Sequence, residues 1–252
     1  DELDSVQREL REWKGVSAII YDQNCATELR RRRKRGKAVD PDQRTFINDL
    51  VCEGCGDCGV QSNCIAIEPS ETEFGRKRRI NQSVCNKDFS CLKGYCPSFV
   101  TVRGGTPRKK AQDGKEVSTD IFANLPAPEI ADASQPYSIV VAGIGGSGVV
   151  TLSALLGMAA HLEGKGCSTL DIAGLSQRNG AVTSHIRIAL NPEDIHAVRI
   201  ATQGADLVLG SDIVVTAGME VLSKVLTGST AAVVNSYVAP TSAFASNPDL
   251  DM

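Results

Sequence analysis

The hydrophobic pattern at the start of the chain predicts a helix, a strand and a second helix. Residues 1–14 place apolar side chains at helical spacing, and residues 25–37 carry a helical segment that ends in a basic run. Between them, residues 16–21 form the short apolar run of a buried strand. Three such elements predict the edge of an α/β layer rather than a whole domain.

From residue 137 onward the pattern predicts an open α/β sheet. The apolar run at residues 137–143 predicts a buried strand, and residues 149–162 predict a helix that packs on it. Further strands are predicted at 168–172, 184–190, 196–200, 206–210 and 231–235, and Ser211 is predicted to cap a helix over residues 212–226. The fold class is therefore α/β and multidomain, with a Rossmann-like domain over residues 137–252.

Between these two parts lies a segment with few apolar residues and many cysteines. Residues 65–68 and 78–81 predict a small hairpin, and residues 101–136, rich in proline and glycine, predict a linker. The expected boundaries are 1–45, 46–100, 101–136 and 137–252. We find no repeat period along the chain.

Composition limits the classes of function. Aromatic residues make up 4% of the chain, which argues against modules that stack nucleic-acid bases. No apolar run approaches the roughly 18 residues of a membrane span. The expected localisation is a reducing cytoplasm, with no nucleic-acid or membrane partner.

Seven of the nine cysteines lie between residues 52 and 96, and their spacing predicts an iron–sulfur module. Cys52, Cys55 and Cys58 form a Cys-x2-Cys-x2-Cys triplet, which in two-cluster ferredoxins takes its fourth ligand from a distant Cys-Pro pair. Cys96 followed by Pro97 supplies that pair. We call Cys52, Cys55, Cys58 and Cys96 the first site.

A second site is predicted from a less regular set. Cys85 and Cys91 keep the outer spacing of the triplet, but Asp88 occupies the middle position. In two-cluster ferredoxins the fourth ligand of each cluster comes from the other cysteine group. By that rule Cys64 completes this set, and the second site consists of Cys64, Cys85, Cys91 and Asp88. It could hold three or four irons. The alternative is that Asp88 points to solvent and only one cluster is bound.

A zinc ribbon and a disulfide framework are the alternatives to an iron–sulfur module. A zinc ribbon requires two Cys-x2-Cys pairs, and a disulfide framework is typical of secreted chains. The single tight triplet, the odd number of cysteines and the lack of an apolar leader all favour iron–sulfur chemistry. The spacing alone leaves both alternatives open.

A basic run and a glycine-rich turn add two further candidate sites. Residues 30–37 hold seven positive charges, which either end a solvated helix or steer an acidic redox partner; a nucleic-acid or nuclear-localisation function ranks third. Residues 143–148, the glycine turn, follow a strand and open a helix. Gly143, Gly145, Gly146, Ser147 and Gly148 are candidate cofactor-binding residues, with Asp171 as a ribose-binding acid, or else the glycines only permit close packing.

These segments, in this order, resemble indolepyruvate ferredoxin oxidoreductase in its fused long form, a thiamine-diphosphate 2-oxoacid:ferredoxin oxidoreductase. Residues 52–97 resemble the cluster insert of that family. Residues 139–190, with Gly-Leu-Ser-Gln-Arg-Asn-Gly-Ala-Val, resemble its gamma-type domain, and residues 1–37 resemble the end of its thiamine-diphosphate domain.

The resemblance implies a reaction and its cofactors. Aryl 2-oxoacids of the indolepyruvate type and coenzyme A would give aryl-acetyl-CoA and carbon dioxide, while iron–sulfur clusters pass two electrons to ferredoxin. The complete enzyme would be a homo-oligomer. It would also hold thiamine diphosphate and magnesium, but we find no Gly-Asp-Gly segment for them. We therefore expect that site in a missing N-terminal part, a truncated gamma-type domain, an inactive isolated chain and no catalytic residue here.

Two rival functions predict different observations. An iron–sulfur flavoprotein or NAD(P)-binding electron-transfer subunit would show a second nucleotide fingerprint, which the sequence does not contain. A non-enzymatic ferredoxin-like module with a regulatory zinc would lack inorganic sulfide.

Overall fold

The computed structural model describes residues 2–105, 125–127, 134–174, 176, 180–240, 244 and 247. The chain divides into two compact units, residues 1–40 and residues 41–252. Among the described residues, no helix has the length and apolar character needed to cross a membrane.

The first unit contains two helices, α1 (Glu2–Arg11) and α2 (Ala26–Lys34). Helix α2 ends within the basic run: Gly36 has a φ of +68°, and the Lys37 N–H donates to the Arg32 carbonyl at 2.8 Å. This is the hydrogen-bonding pattern of a glycine-terminated helix, in which basic side chains lie at the negative end of the helix dipole.

The predicted strand at residues 16–21 is not formed. Val16 and Ile20 are almost fully exposed, and the segment is extended without a partner strand among the described residues of this unit. A strand requires hydrogen bonds from a neighbour, and residues 2–40 provide only the two helices. The prediction of a buried strand is therefore wrong.

The second unit begins with a small module, residues 41–105, which we call the cysteine module. Strand β1 (Gln43–Ile47) pairs antiparallel with β4 (Phe99–Arg103), and β2 (Ile67–Thr72) pairs with β3 (Gly75–Ile80). A short helix α3 (Asp57–Ser62) and a 3₁₀ turn (Ser90–Leu92) carry the cysteine loops and pack together.

The hairpin predicted in this module is confirmed, since Ile67 lies opposite Ile80 in the β2–β3 register. The start of the predicted linker is wrong, because residues 101–103 belong to β4. Most of the remaining linker, residues 106–124 and 128–133, lies outside the described residues.

The α/β domain contains a five-stranded sheet. Its strands are β5 (Tyr137–Ile144), β6 (Gly166–Ala173), β7 (Ala181–Ala189), β8 (Leu207–Gly210) and β9 (Ala231–Val234), in the order β6-β7-β5-β8-β9. Strand β7 is antiparallel to both neighbours, whereas β5, β8 and β9 are parallel.

The central strand β5 is buried on both faces. Ile139 and Val141 pack toward helix α4 (Val149–Leu162), while Val140 and Ala142 pack toward the opposite layer. That layer contains two one-turn helices, α5 (Ile213–Thr216) and α6 (Met219–Leu222). The predicted buried strand, β5, is therefore the central strand of the sheet, and the predicted helix, α4, packs on one of its faces, as in an open α/β sheet.

Two predicted elements in this domain differ from the structure. Residues 196–200 are not a strand, because the Ile200 N–H donates to the His185 side chain instead of to a neighbouring strand. The predicted helix over residues 212–226 is broken at Gly218 into α5 and α6. Asp212, not Ser211, is the N-cap, since its carboxylate accepts the Val215 N–H at 2.9 Å.

The buried histidine of β7 has a strongly constrained protonation state. His185 is 1% exposed, and its Nδ1 accepts the Ile200 N–H at 3.2 Å. Burial lowers the pKa of His185, and the nearby cations Lys224 and Arg199 lower it further. The imidazole is therefore neutral in the folded protein at neutral pH.

We predict that the free energy of unfolding decreases as the pH falls below about 6.5, the ordinary pKa of an unfolded histidine. The unfolded chain then binds a proton that folded His185 does not accept, and the loss is at most about 1.4 kcal/mol per pH unit. Urea titrations of the wild type and His185→Asn at about pH 7.5 and 5.5 measure this. His161→Asn, at an exposed histidine, is the matched control. An unchanged pH dependence in His185→Asn would contradict the prediction.

Candidate functional site

The two cysteine loops begin with the same local structure. Asn48 and Asn81 each stand four residues before the first cysteine of a site, and each carbonyl accepts the N–H of that cysteine, Cys52 at 2.9 Å and Cys85 at 3.0 Å. Each Asn side chain also accepts a backbone N–H two residues further on, at 3.1 Å in both loops. Two equivalent asparagine turns therefore position the first cysteine of each loop.

This equivalence corresponds to a short repeat that was not found from the sequence. The pattern Ile-Asn-x-x-Val-Cys occurs at residues 47–52 and again at residues 80–85. Each copy follows a β-strand, β1 in one case and β3 in the other. Because the repeat is only six residues long, it becomes visible only when the two cysteine groups are aligned on Cys52 and Cys85.

The first site is a cavity of about 310 Å³ in the cysteine module. Its lining includes all four predicted ligands, Cys52, Cys55, Cys58 and Cys96. At ~30 Å³ per water molecule, the space would hold a group of many atoms rather than a single ion. The structure thus brings the triplet and the distant Cys-Pro cysteine to one cavity.

Two glycines give the first cysteine loop its path. Gly54 and Gly56 both have positive φ values, +78° and +82°, which favour glycine. A Cβ on Gly54 would lie 2.4 Å from the backbone oxygen of Arg76 on β3. The loop therefore approaches the hairpin so closely that no larger residue fits at position 54.

The second site lies beside the first. The Cys91 thiol interacts electrostatically with Cys64, Cys85 and Asp88, and Cys91 also borders the cavity of the first site. The Lys87 N–H donates to the sulfur of Cys85 at 3.3 Å. The predicted members of the second site are thus neighbours, and Cys91 is adjacent to both sites.

Asp88 is exposed and is part of a turn. Its Oδ1 accepts the backbone N–H of Ser90 at 3.1 Å and the Ser90 hydroxyl at 2.9 Å. The residues on both sides, Lys87 and Phe89, have φ values of +57° and +58°, which L-residues seldom adopt. The carboxylate is therefore fixed within a strained loop, and both of these bonds use Oδ1 rather than Oδ2.

One half-buried thiol in each site has a raised pKa. Burial raises the pKa of Cys58 to about 11, with Cys52 and Cys55 adding to the rise and Arg78 opposing it. Burial also raises the pKa of Cys91 to about 11, and Cys64, Cys85 and Asp88 add to it. Without a metal these thiols are protonated, so metal binding must release their protons.

A cubane cluster and a single ion place different demands on these ligands. Among the described residues, no three His, Cys, Asp or Glu side chains converge closely enough to hold one metal ion. In a cubane each thiolate binds a separate iron at a corner, so the ligands surround a larger group. The soft thiolate donors and the size of the cavity fit such a cluster.

Two side chains near the first site were not identified from the sequence. Arg78 on β3 is 3% exposed and lines the cavity, and Ser98 is 2% exposed with its hydroxyl 3.0 Å from the sulfur of Cys96. An arginine within a charged hairpin and a serine beside a Cys-Pro pair carry no distinctive pattern. Only the folded arrangement shows that both face the cluster ligands.

The glycine turn is held by contacts within the protein. A Cβ on Gly143 would lie 2.6 Å from the Ser147 Oγ and 2.8 Å from the Ser211 Cβ. The Ser147 hydroxyl donates to the Ile144 carbonyl at 2.7 Å, and the Ile144 N–H donates to Asp212 at 2.8 Å. These contacts favour close packing as the reason for Gly143, whereas Gly146 and Gly148 have φ values of +100° and +94° and border a cavity of about 240 Å³.

Asp171 does not lie where a dinucleotide fold would place its ribose-binding acid. In that fold the acid follows the strand next to the glycine turn. Here β7 separates β6 from β5, so Asp171 is opposite Ser184 and roughly 9.5 Å across the sheet from Val141. Its carboxylate accepts the Ser184 hydroxyl. The assignment of Gly143, Gly145, Gly146, Ser147 and Gly148 to a cofactor stays a prediction.

Two solved structures resemble part of the chain at low similarity. Pyruvate oxidoreductase subunit PORC of Thermotoga maritima has a TM-score of 0.30 and 15% identity, over 38% of this chain and 48% of that one. The gamma subunit of a keto/oxoacid ferredoxin oxidoreductase from Geobacter sulfurreducens has a TM-score of 0.23 and 22% identity, over 39% and 60%.

Sequence comparison identifies relatives of the chain. Indolepyruvate oxidoreductase subunit IorB of Thermococcus kodakarensis is 36% identical over 73 residues, or 29% of this chain and 35% of the relative. The subunit of the same name from Archaeoglobus fulgidus is 38% identical over 72 residues, or 29% and 34%. The chain spans about a third of the length of these curated relatives.

The α/β domain also matches a family model. Residues 138–250 match the family described as pyruvate ferredoxin/flavodoxin oxidoreductase. This family and the curated relatives agree with the resemblance carried by the sequence motifs. Residues 138–250 therefore resemble this family, and the similar curated proteins are indolepyruvate oxidoreductase subunits.

Proposed function

We propose that this chain is the electron-transfer part of an indolepyruvate-type 2-oxoacid:ferredoxin oxidoreductase. The observation that carries the proposal is the pair of equivalent cysteine loops that precede an α/β domain of this family. The complete enzyme would convert an aryl 2-oxoacid and coenzyme A to aryl-acetyl-CoA and carbon dioxide, and would pass two electrons to ferredoxin.

In this proposal the cysteine module holds two iron–sulfur clusters. Cys52, Cys55, Cys58 and Cys96 would hold a four-iron cluster, which accepts and releases single electrons. Cys64, Cys85 and Cys91, with Asp88, would hold the second cluster. The raised pKa values of Cys58 and Cys91 support sites that depend on metal to form thiolates.

The α/β domain has a supporting role in this proposal. The packing of Gly143 against Ser211 and the separation of Asp171 from β5 by β7 argue against the NAD(P) or flavin alternative, although Gly146 and Gly148 border a cavity. We propose instead that the domain docks on the catalytic part of the enzyme and contributes to the coenzyme A surface. We assign no residue of this chain to thiamine diphosphate or magnesium.

Iron and inorganic sulfide, measured on the anaerobically purified chain, test the proposal directly. Two clusters predict about seven or eight irons per chain with a comparable amount of sulfide. Zinc without sulfide would support the regulatory zinc module and overturn the proposal.

We predict that the second site loses an iron first. A carboxylate is a harder and weaker ligand for cluster iron than a thiolate, so the iron beside Asp88 should be released by a mild oxidant. Electron paramagnetic resonance should then show a three-iron signal, and the iron content should fall by about one per chain. Asp88→Cys should suppress the signal by supplying a fourth thiolate.

Asp57→Asn provides the matched control for this experiment. Asp57 is an exposed carboxylate next to Cys58 in the first site, so its loss changes the charge without changing a predicted ligand. The three-iron signal should persist in this variant. About four irons per chain before and after oxidation, without a three-iron signal, would mean that the second cluster is absent.

We also propose that the basic end of α2 attracts ferredoxin. Arg31, Arg32 and Lys34 are exposed there, and their charges would steer an acidic partner. In the assembled oxidoreductase, replacing all three with Gln should slow ferredoxin reduction roughly tenfold at low salt, with a smaller effect at high salt. Stopped-flow measurements across ionic strengths check this.

Two controls separate steering from general damage. Reduction of a small neutral dye should be unchanged in the triple variant, because its encounter with the enzyme is not steered. Replacing Arg8 and Arg11 of α1 with Gln removes charge from the same unit and should have little effect. Equal losses with ferredoxin and dye would assign the run to helix stability alone.

A further inference from the structure

The equivalent halves of the cysteine module allow the two sites to be compared residue by residue. Placing Ile47 on Ile80 pairs Thr45 of β1 with Arg78 of β3. It also pairs Cys55 with Asp88. The two halves thus share a backbone plan but differ in charge at corresponding positions.

Arg78 places a buried positive charge at the first site. Its side chain is 3% exposed and lines the cavity with the four predicted ligands. The corresponding residue, Thr45, is equally buried at 3% exposure but is neutral. A buried charge is weakly screened by solvent, so this difference acts strongly on nearby groups.

An aromatic ring from the α/β domain covers Arg78. Phe244 is 3% exposed, and its ring centre lies 4.9 Å from the guanidinium carbon of Arg78. A cation over an aromatic face is stabilised electrostatically, and the ring also excludes water from that side. The position of the charge is therefore fixed from both sides, by the hairpin and by Phe244.

Ser98 provides a hydrogen bond to the first site that the second site lacks. The Ser98 carbonyl accepts the Asn48 N–H at 2.8 Å, and the Ala66 carbonyl accepts the Asn81 N–H at 2.8 Å, which shows that Ser98 and Ala66 correspond. The Ser98 hydroxyl lies 3.0 Å from the sulfur of Cys96. Once Cys96 is a thiolate, only the hydroxyl can donate, and alanine has no such donor.

The Asp88 carboxylate at the second site corresponds to the Cys55 thiolate at the first, and each group carries one negative charge when it binds iron. Reduction adds one negative charge to a cluster, so a neighbouring cation or hydroxyl donor favours the reduced form and a neighbouring carboxylate disfavours it. The differences that involve Arg78 and Ser98 therefore have the same sign. Glu53 and Asp57 also line the first cavity, but both are exposed, so solvent screens their charges more than the charge of buried Arg78.

Building on the proposed function, we propose that Arg78 and Ser98 make the first site the higher-potential cluster, so that electrons collect there. Both are positioning residues, because they act on the ligands and are not ligands themselves. The second site, with Thr45 and Ala66 at the corresponding positions, has the lower potential and passes its electron to the first. Cys91, a predicted ligand of the second site, also lines the cavity of the first.

The test is a redox titration of the full chain, monitored by electron paramagnetic resonance under anaerobic conditions. Arg78→Gln should lower the higher of two midpoint potentials, with at least a tenfold fall in the reduction equilibrium constant, which is about 59 mV for one electron. Ser98→Ala should shift the same potential downward. Ala66→Ser should raise the lower potential by adding the missing donor.

Arg79→Gln is the matched control, since Arg79 is the next residue on β3, is exposed and pairs with Glu68. It should leave both potentials unchanged. If Arg78→Gln fails to assemble, Ser98→Ala and Ala66→Ser still decide the matter, because they alter one hydroxyl each. This inference would be overturned if the variants shifted the other potential. It would also be overturned if they shifted neither potential although the wild-type chain carries its full iron and sulfide. A wild type without sulfide would overturn the proposed function instead.

Discussion

The crossed supply of ligands is the constraint on which the cysteine module depends. Each predicted site takes three ligands from one loop and the fourth, Cys96 or Cys64, from the other half of the module. Neither half can form a site alone, so the two strand pairs must bring their ends together. Asn48 makes this link directly, because it bonds both Cys52 in its own loop and the Ser98 carbonyl beside Cys96. Asn81 makes the corresponding link through Cys85 and Ala66.

The α/β domain depends on a different interaction, the buried carboxylate of Asp212. It is 1% exposed and accepts the N–H of Ile144 at the end of β5 and the N–H of Val215 in α5. One side chain thus joins the glycine turn to the helix layer on the other face of the sheet. A buried carboxylate is stable only when such donors satisfy it. This requirement accounts for the close approach of Asp212 to the start of the turn at Ile144.

Sequence patterns predicted those elements that are determined locally. The apolar runs of β5 and α4 and the hairpin of β2 and β3 were found because their patterns are internal to each segment. The errors occurred where a partner outside the segment decides the outcome. Residues 16–21 have no partner strand among the described residues, and residues 196–200 give a backbone donor to His185. The pairing of β1 with β4 spans more than fifty residues, so no local pattern could indicate it.

Candidate ligands were easier to predict than the residues that modify them. Cysteines have few other uses at such spacing, so Cys52, Cys55 and Cys58 are conspicuous in the sequence. Arginine and serine are common and gain significance only from their position, as Arg78 does between the cysteine cavity and Phe244. That contact joins the two parts of the second unit, because Phe244 lies within the residues that match the family model. Through this contact the α/β domain reaches a buried cation that lines the cysteine cavity.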